Sequence, residues 1–499
     1  MELITQKYKE QVSLTLSCYD RMILSGNIND LANQHGMTSY LNQHGFRIFD
    51  YSQFAEPLRD RIRSNMEKMA SENFVSIEFV RKSDLSKEDI IGRKLSDRGT
   101  HPGIVHILSA MEICPSYQPW HDKNTGRNFL KPDQGKCLTY YVYFIDEVLG
   151  YGFIRVPTWC PFRLQVYING HQLLSKELDK AGISYTMTDN AFDWISDPLR
   201  AQVIARDISV ENIHARLNEF TNRFCPVAKD LDLSYHWSIT QVEFATDIVF
   251  KRQADLKILY SEMVATAIHT VKPVHIATFL GHKLDPRFEG EAGNLYHVRL
   301  EGSTIRHTMG KASIKMYDKF SKILRIETTA NDVAFFKHYR EVDHKDGTQT
   351  MKMAKVKKTI YSLPVLQDIL LASNKRYLEF ISSLDNKEVG RKNLEKVTAS
   401  KTKNNRNYRG INFFSNTDQT ILLSILRGEF NISGLRNKNL QKLLNFNSGQ
   451  VSRLIKRLLV HGLLKKAKGA YKYYVTRLGK ITLIMAEKVK ELVLVPAFC

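Results

Sequence analysis

A tyrosine, a lysine, an arginine and a glutamate are spaced so that two neighbouring strands would bring them to one surface. Residues 313–329 form two runs of alternating apolar and polar side chains around a short polar turn, which predicts two half-buried strands. Because side chains alternate between the faces of a strand, Lys315 and Tyr317 share one face. Arg325 and Glu327 share a face of the second strand for the same reason. A phenol, cations for a phosphate and a carboxylate for a metal are what cleavage of a phosphodiester by a tyrosine needs.

A tyrosine nucleophile needs a neighbouring group that helps it to lose its proton. A phenol has an ordinary pKa of about 10, so it attacks at neutral pH only beside a cation or a base. Lys315, Lys319 and Arg325 are the candidates for that assistance. The opposing interpretation is a plain hairpin whose tyrosine packs its ring and whose lysines are solvated, and the residues alone leave both open.

A second stretch places two carboxylates inside a predicted apolar strand, residues 236–250. Glu243 and Asp247 are four residues apart, so they share a face and lie about 13 Å apart if the strand is straight. A carboxylate among apolar side chains is costly unless it is solvated, paired or metal-bound. Two structural explanations are as open as a functional site: this face of the strand is exposed to solvent, or Glu243 pairs with an arginine.

The length and net charge of the chain indicate which kinds of binding partner to expect. The chain has 499 residues, with 72 Lys and Arg against 52 Asp and Glu, so its net charge is +20. That length accommodates about two to four domains. The positive excess favours a polyanion, with nucleic acid ahead of an acidic membrane surface. No segment is apolar over the length of a bilayer and no signal pattern opens the chain, so we expect a cytoplasmic protein.

Six cysteines are scattered without a CxxC pair, at positions 18, 114, 137, 160, 225 and 499. In a reducing compartment this spacing predicts free thiols, most of them in the core, and no zinc site.

The patterns predict an α+β protein with a central antiparallel sheet flanked by helices. We divide it into a helical N-terminal region (1–130), an α+β domain (131–386), a basic linker (387–412) and a winged helix-turn-helix domain (413–499). Within the first region, Tyr51–Glu72 has the pattern of an amphipathic helix. The linker is predicted to be flexible and to contact phosphates. Its basic candidates are Lys401, Lys403, Arg406 and Arg409.

The last domain has three apolar-periodic helices and then two short strands around a glycine turn. This order resembles the winged helix-turn-helix of MarR-like bacterial regulators, in which the third helix enters the major groove. Val451, Leu454, Ile455 and Leu458 of that helix are predicted to face the core. A protein-docking role is the alternative to nucleic-acid binding. The candidate contact residues are Gln450, Ser452, Arg453, Lys456 and Arg457 on the helix, with Lys468 in the wing.

The central region resembles the replication initiation factors of rolling-circle plasmids, on three short motifs. These are the acidic strand, the element Ser-x-Lys-x-Tyr-Asp-Lys ending at Lys319, and the strand Leu-Arg-Ile-Glu ending at Glu327. The resemblance implies that Tyr317 attacks the DNA backbone and stays joined to the 5′ end, with Lys319 beside the phosphate. It also implies that Glu243, Asp247 and Glu327 hold a divalent cation, Mg²⁺ or Mn²⁺. Here the lysine follows the tyrosine by two positions, whereas the family pattern has three.

These patterns lead to a nucleic-acid-binding protein, with DNA ahead of RNA. The leading hypothesis is a metal-dependent, tyrosine-using DNA nickase that initiates replication of a mobile element. One rival is a non-catalytic regulator with an initiator-like fold, and another is a transposition or recombination protein that also joins strands. Arg325 completes the catalytic set, and a homodimer stays open.

Overall fold

The structure is a computed structural model of the chain. It describes residues 8–81, 86–99, 101–284, 292–299, 302–344, 346–382, 395–426, 430, 434–467, 470–480, 482 and 484.

Runs of strands and runs of helices follow one another along the described chain, and the strands pair both locally and over long distances. The strands are β1 (Val12–Ile28), β2 (Ile77–Phe79), β3 (Gly103–His121), β4 (Asn128–Asp146), β5 (Gly150–Pro157), β6 (Leu164–Asn169), β7 (Tyr185–Thr188), β8 (Ala191–Ile195), β9 (Tyr235–Phe250), β10 (Ala292–Arg299), β11 (Gly302–Met309), β12 (Ala312–Lys319), β13 (Ile323–Ala330), β14 (Lys337–Asp343), β15 (Gln349–Lys355), β16 (Lys401–Lys403), β17 (Arg406–Tyr408), β18 (Leu464–Lys466) and β19 (Tyr473–Val475). The helices are α1 (Gln34–Gln43), α2 (Tyr51–Glu72), α3 (Lys87–Arg98), α4 (Gly170–Lys180), α5 (Pro198–Arg206), α6 (Val210–Phe224), α7 (Val227–Asp230), α8 (Gln253–Thr270), α9 (Pro273–Phe279), α10 (Leu363–Ile381), α11 (Asn416–Ile425), α12 (Asn437–Leu444) and α13 (Ser448–Val460).

Eleven strands form one large sheet flanked by helices, in the order β10-β11-β12-β13-β9-β1-β6-β5-β4-β3-β2. The predicted α+β class is therefore confirmed. The sheet is mixed, because β2 pairs with β3 in parallel while β4, β5 and β6 form an antiparallel meander. None of the helices in the described ranges is long and apolar enough to cross a bilayer.

The chain divides into two compact units, and the division falls inside strands β1 and β9. The first unit comprises Met1–Leu16, Ala245–Thr329 and Asp368–Cys499. The second unit comprises Ser17–Phe244 and Ala330–Gln367.

In the first unit, strand β13 is buried along its whole length and one amide side chain fixes it to its neighbours. Asn374 of α10 donates to the carbonyl oxygen of Ile326 at 3.2 Å and to the hydroxyl of Thr246 in β9 at 3.1 Å. Its amide oxygen accepts a 2.6 Å hydrogen bond from the hydroxyl of Thr328. Because an unpaired polar group is costly in a core, this network specifies how the helix sits on the two strands.

In the second unit, α2 spans Tyr51–Glu72 as predicted, and it buries the apolar stripe that repeats at helical spacing, including Phe54, Ile62 and Met66. Helix α4 begins directly after β6, at Gly170. Asn169 caps that helix, because its side chain accepts a 3.0 Å hydrogen bond from the amide of Gln172.

Residues 1–130 differ from the predicted helical region. They contain α1, α2 and α3, but also β1 and β3, strands of 17 and 19 residues. The prediction of free thiols is also wrong for two residues, because Cys114 in β3 and Cys137 in β4 form a disulfide. Adjacent antiparallel strands place these cysteines close together, with Cα atoms 6.2 Å apart. Cys18, Cys160 and Cys225 are free and buried, as expected.

Candidate functional site

Among its described residues, the C-terminal module of the first unit contains helices α11, α12 and α13 and a two-stranded wing. Helix α12 ends at Asn445, whose backbone is left-handed with φ of 54°, and the chain then turns into α13. Asn447 begins α13 by accepting a hydrogen bond from the amide of Gln450, while the Gln450 side chain accepts one from the amide of Asn447. Strands β18 and β19 form the wing, and Leu435 bridges to Tyr473 beside them. This is the helix-turn-helix order predicted from the sequence.

Helix α13 separates apolar from polar residues by face. Val451, Leu454, Ile455 and Leu458 are buried in one core with α11, α12 and the wing, as predicted. The opposite face is exposed to solvent. On it lie Gln450, Ser452, Arg453 and Lys456, which are four of the five predicted contact residues of this helix.

Arg457 is the exception among the five predicted contact residues, because it does not lie on the exposed face. Its side chain is only 12% exposed, and its guanidinium donates to both carboxylate oxygens of Asp418 at 2.9 and 2.8 Å. It also donates to the carbonyl oxygens of Arg409 and Gly410. The planar fork of an arginine suits this role, so Arg457 ties α13 to α11 and to the segment before it.

Asp418 is the partner that the sequence did not single out. Its burial acts to raise the pKa of its carboxyl. The hydrogen bonds from Arg457 and from the amide of Asn412, with the charges of Arg457 and Arg409, outweigh burial and hold that pKa below its ordinary value. A lone acid at the first turn of a helix in a basic module is the signal that could have identified it.

The described part of the predicted linker is folded, not flexible. Lys401–Lys403 and Arg406–Tyr408 pair as a hairpin, and its two turn residues, Asn404 and Asn405, both have positive φ. Val397 and Ile411, on either side of it, are buried in the same core as α13. Lys403 and Arg406 are exposed and Lys401 is half-buried. Arg409 is exposed but also lies 3.4 Å from Asp418. Lys468 and residues 387–394 lie outside the described residues.

The module is strongly basic. Its described residues from 395 onward include sixteen Lys and Arg but two Asp and Glu, Glu395 and Asp418. The net charge of these residues is therefore +14, compared with +20 for the whole chain, so most of the positive excess lies in this module. Among the described residues, neither Arg453 nor Lys456 makes an ion pair, so their charges are directed to solvent.

The second candidate site lies on strands β12 and β13 of the first unit. Lys315 donates from Nζ to one oxygen of Glu327 at 2.6 Å, and the hydroxyl of Tyr317 donates to the other at 2.8 Å. Glu327 is buried, while Lys315 and Tyr317 are partly exposed. The structure therefore brings together the tyrosine, lysine and glutamate that strand alternation predicted on one surface.

Arg325 and Asp247 form a separate buried pair in the same unit. The Nε and Nη2 atoms of Arg325 donate to the two oxygens of Asp247 at 2.6 and 2.7 Å. Neither side chain is more than 3% exposed. Each charge is satisfied by the other, so the geometry assigns Arg325 to holding β13 beside β9, not to an exposed phosphate.

Glu243, Lys319 and the neighbouring Asp318 make the following contacts within their own units. Glu243 belongs to the second unit, where its carboxylate lies 3.7 Å from the guanidinium of Arg21 and 3.5 Å from the amide of Gln241. Lys319 places its ammonium 5.0 Å from the ring centre of Phe320. Asp318 has a buried carboxylate oxygen without a hydrogen bond, and burial raises its pKa to about 6, although a backbone hydrogen bond from Ser321 opposes this.

Two of the predicted metal ligands, Asp247 and Glu327, already accept hydrogen bonds from donors within the first unit. Asp247 directs both oxygens to Arg325, and Glu327 directs one to Lys315 and the other to Tyr317. A divalent cation bound to either carboxylate would share its oxygens with these donors or compete with them. The same contacts supply what a tyrosine nucleophile needs without a metal, namely a proton acceptor and a neighbouring positive charge.

No protein-family model, no curated protein and no solved structure matches this chain. The resemblances to replication initiation factors and to MarR-like regulators therefore stay predictions, and the geometry of the two candidate sites carries the argument about function.

Proposed function

We propose that the protein binds duplex DNA through helix α13 of its C-terminal module. The observation that carries this proposal is the exposed face of α13, where Arg453 and Lys456 project from a helix whose opposite face is packed into a core. An α-helix fits the major groove, and basic side chains there contact bases and phosphates. Lys465 and Lys466 of β18 are also exposed, as the wing of such a module requires for phosphate contacts.

The test is the binding of the full-length protein to pooled fluorescent duplexes at several salt concentrations. Arg453→Ala and Lys456→Ala should each weaken binding by about 5- to 100-fold, and each lost phosphate contact should reduce the salt slope by about 1. Lys94→Ala, an exposed lysine on α3 of the second unit, is the matched control and should change neither. Equal affinity in all three variants would contradict the proposal and favour a protein-docking module.

A second candidate function is DNA nicking at Tyr317, and the hydrogen bond from its hydroxyl to Glu327 favours it. In this reaction Glu327 accepts the phenolic proton and the tyrosine oxygen bonds to a backbone phosphorus. The bond from phosphorus to the 3′ oxygen breaks, and that oxygen takes up a proton to leave a 3′ hydroxyl. Lys315 stabilises the charge that develops beside the carboxylate. The sequence resemblance implies Mg²⁺ or Mn²⁺ as a cofactor of this reaction, where it would neutralise negative charge on the scissile phosphate.

The nicking candidate is tested by a covalent adduct. The protein is incubated with pooled single-stranded DNA, with Mg²⁺, with Mn²⁺ or with a chelator, and separated on a denaturing gel. An adduct that disappears in Tyr317→Phe but persists in Tyr339→Phe, an exposed tyrosine on β14, would establish the nucleophile. Binding to duplex without any adduct would leave a non-catalytic DNA-binding regulator.

A further inference from the structure

The second unit contains an open groove of about 710 Å³ between the start of β9, the end of β1 and helix α6. Residues 358–361 close its remaining side. The amide of Ile239 donates to the carbonyl oxygen of Lys358 at 2.6 Å, and Ser238 bridges to Thr359. These backbone contacts fix the wall to the strand that forms the floor, so the groove is a preformed site of ligand-binding size.

The lining of the groove is rich in amides and lacks carboxylates among the residues placed around it. Four asparagines contribute to it, namely Asn27, Asn29, Asn218 and Asn222. The side-chain oxygen of Asn27 is buried and has no hydrogen-bond partner. Because a buried polar atom without a partner is costly, this oxygen favours a ligand that donates a hydrogen bond.

An aromatic residue stands at the rim in a fixed orientation. Tyr361 is 50% exposed, and its hydroxyl shares a 2.8 Å hydrogen bond with Nδ1 of His214. The two rings meet edge to face, with planes at 84°. Trp237 lies deeper, and its indole nitrogen donates to the side-chain oxygen of Asn218 at 3.2 Å. The exposed tyrosine ring is therefore held in place with free area for a flat ligand to stack on.

The rim also carries positive charge. Lys358 lines the groove, its side chain is 59% exposed, and it lies 3.2 Å from Asp332. Lys357 beside it is exposed. An ion pair this exposed is weak, so Lys358 can exchange its partner for a phosphate at small cost.

We propose that this groove binds a single-stranded nucleic-acid segment, with one base stacked on Tyr361, its edge hydrogen-bonded by the asparagine amides, and the neighbouring phosphate contacted by Lys358. Aromatic stacking combined with amide donors and acceptors and a nearby cation is the chemistry that recognises unpaired bases. The proposal goes beyond duplex binding by α13 and rests on the proposed function only in taking nucleic acid as the partner. The groove belongs to the second unit and α13 to the first, so experiments can disprove single-strand binding in the groove without disproving duplex binding by α13.

The experiment uses the full-length protein and a fluorescent mixed-sequence single strand of about 15 nucleotides, which spans the site size of single-strand binding surfaces. Tyr361→Ala should weaken binding by about 5- to 100-fold, because a stacked base is lost. The matched control is Trp194→Ala, an aromatic residue that is 51% exposed in the same unit. Lys358→Gln should weaken binding and lower its salt dependence, whereas Lys180→Gln, a lysine paired with Glu177 and 53% exposed, should not.

Position is checked by photocrosslinking a single strand that contains 5-iodouracil and sequencing the labelled peptide. Labelling within residues 234–238 or 358–361 supports the proposal, and labelling confined to other peptides overturns it. Equal affinities for Tyr361→Ala and Trp194→Ala also overturn it. So does an oligosaccharide that binds and depends on Tyr361 while single strands do not. Loss of duplex binding in Arg453→Ala with single-strand binding intact would separate this site from α13.

Discussion

The C-terminal module and the β12–β13 cluster use charge in opposite ways. Helix α13 keeps Arg453 and Lys456 in solvent, without ion pairs among the described residues. The strand cluster buries its charges and pairs each one, with Arg325 on Asp247 and Lys315 on Glu327. Exposed unpaired cations are available to a polyanion, whereas buried paired charges mainly specify how strands fit together. The difference supports the proposal that α13 is the binding surface, and the nicking proposal rests on Tyr317, which is partly exposed at the edge of the cluster.

The largest expected effect comes from breaking the fully buried pair. Arg325→Met removes the cation that donates to both oxygens of the buried Asp247, so we expect the free energy of unfolding to fall by about 3–5 kcal/mol. Urea denaturation measures it. The double variant Arg325→Met, Asp247→Leu should recover most of the loss, because the buried charge is gone. An equally destabilised double variant would mean that packing, and not charge, explains the cost.

The second prediction compares two arginines of the same helix. Arg457→Ala should lower the free energy of unfolding of the module by about 3 kcal/mol, because the buried Asp418 loses its closest cation and keeps the more distant, exposed Arg409. Arg453→Ala should leave stability almost unchanged and weaken duplex binding. Thermal unfolding and duplex titration on both variants check this. If both variants change stability and duplex affinity to the same extent, the distinction between the inward-facing Arg457 and the outward-facing Arg453 is wrong.

A smaller effect is expected at Tyr317. Tyr317→Phe removes one hydrogen bond to the charged Glu327 but leaves that of Lys315, so stability should fall by about 1–2 kcal/mol. Urea denaturation measures the change, and Tyr339→Phe on the exposed hairpin is the control. A larger loss than in Arg325→Met would show that the hydroxyl, and not the ion pair, organises the cluster.

The smallest effect is a pH dependence from His307 of β11, which is buried between Asn294 and Tyr377. Burial lowers its pKa to about 3. Since the unfolded chain takes up a proton near its ordinary pKa and the folded one does not, stability should fall as pH drops from about 6.5 toward 3, by at most about 1.4 kcal/mol per pH unit. The pKa of the Asp418 carboxyl is lowered, so this group reduces folding stability only below about pH 4, where its protonation breaks the ion pair with Arg457. Melting temperatures between pH 5 and 7 should therefore depend less on pH in His307→Gln.

Local patterns predicted local structure well. Alternation placed Lys315, Tyr317 and Glu327 together, and helical spacing identified both α2 and the buried face of α13. The errors concern pairings between distant residues. Strand β1 pairs Arg21 with Asn169 of β6, and β3 pairs with β4, contacts that no single segment encodes. Likewise, the direction of Arg457 depends on Asp418, 39 residues earlier, and the groove at Tyr361 is assembled from four separate segments.

The division inside β1 has a consequence for synthesis on the ribosome. The first unit is built from Met1–Leu16, which contributes the start of β1, from Ala245–Thr329, and from Asp368–Cys499, where α11, α12 and α13 lie. Leu14 and Leu16 are made first, yet they pack in a unit whose other parts emerge hundreds of residues later. Because domains fold as their residues become available, this unit completes last. Its exposed early strand is therefore the part of the nascent chain that most needs protection by a chaperone.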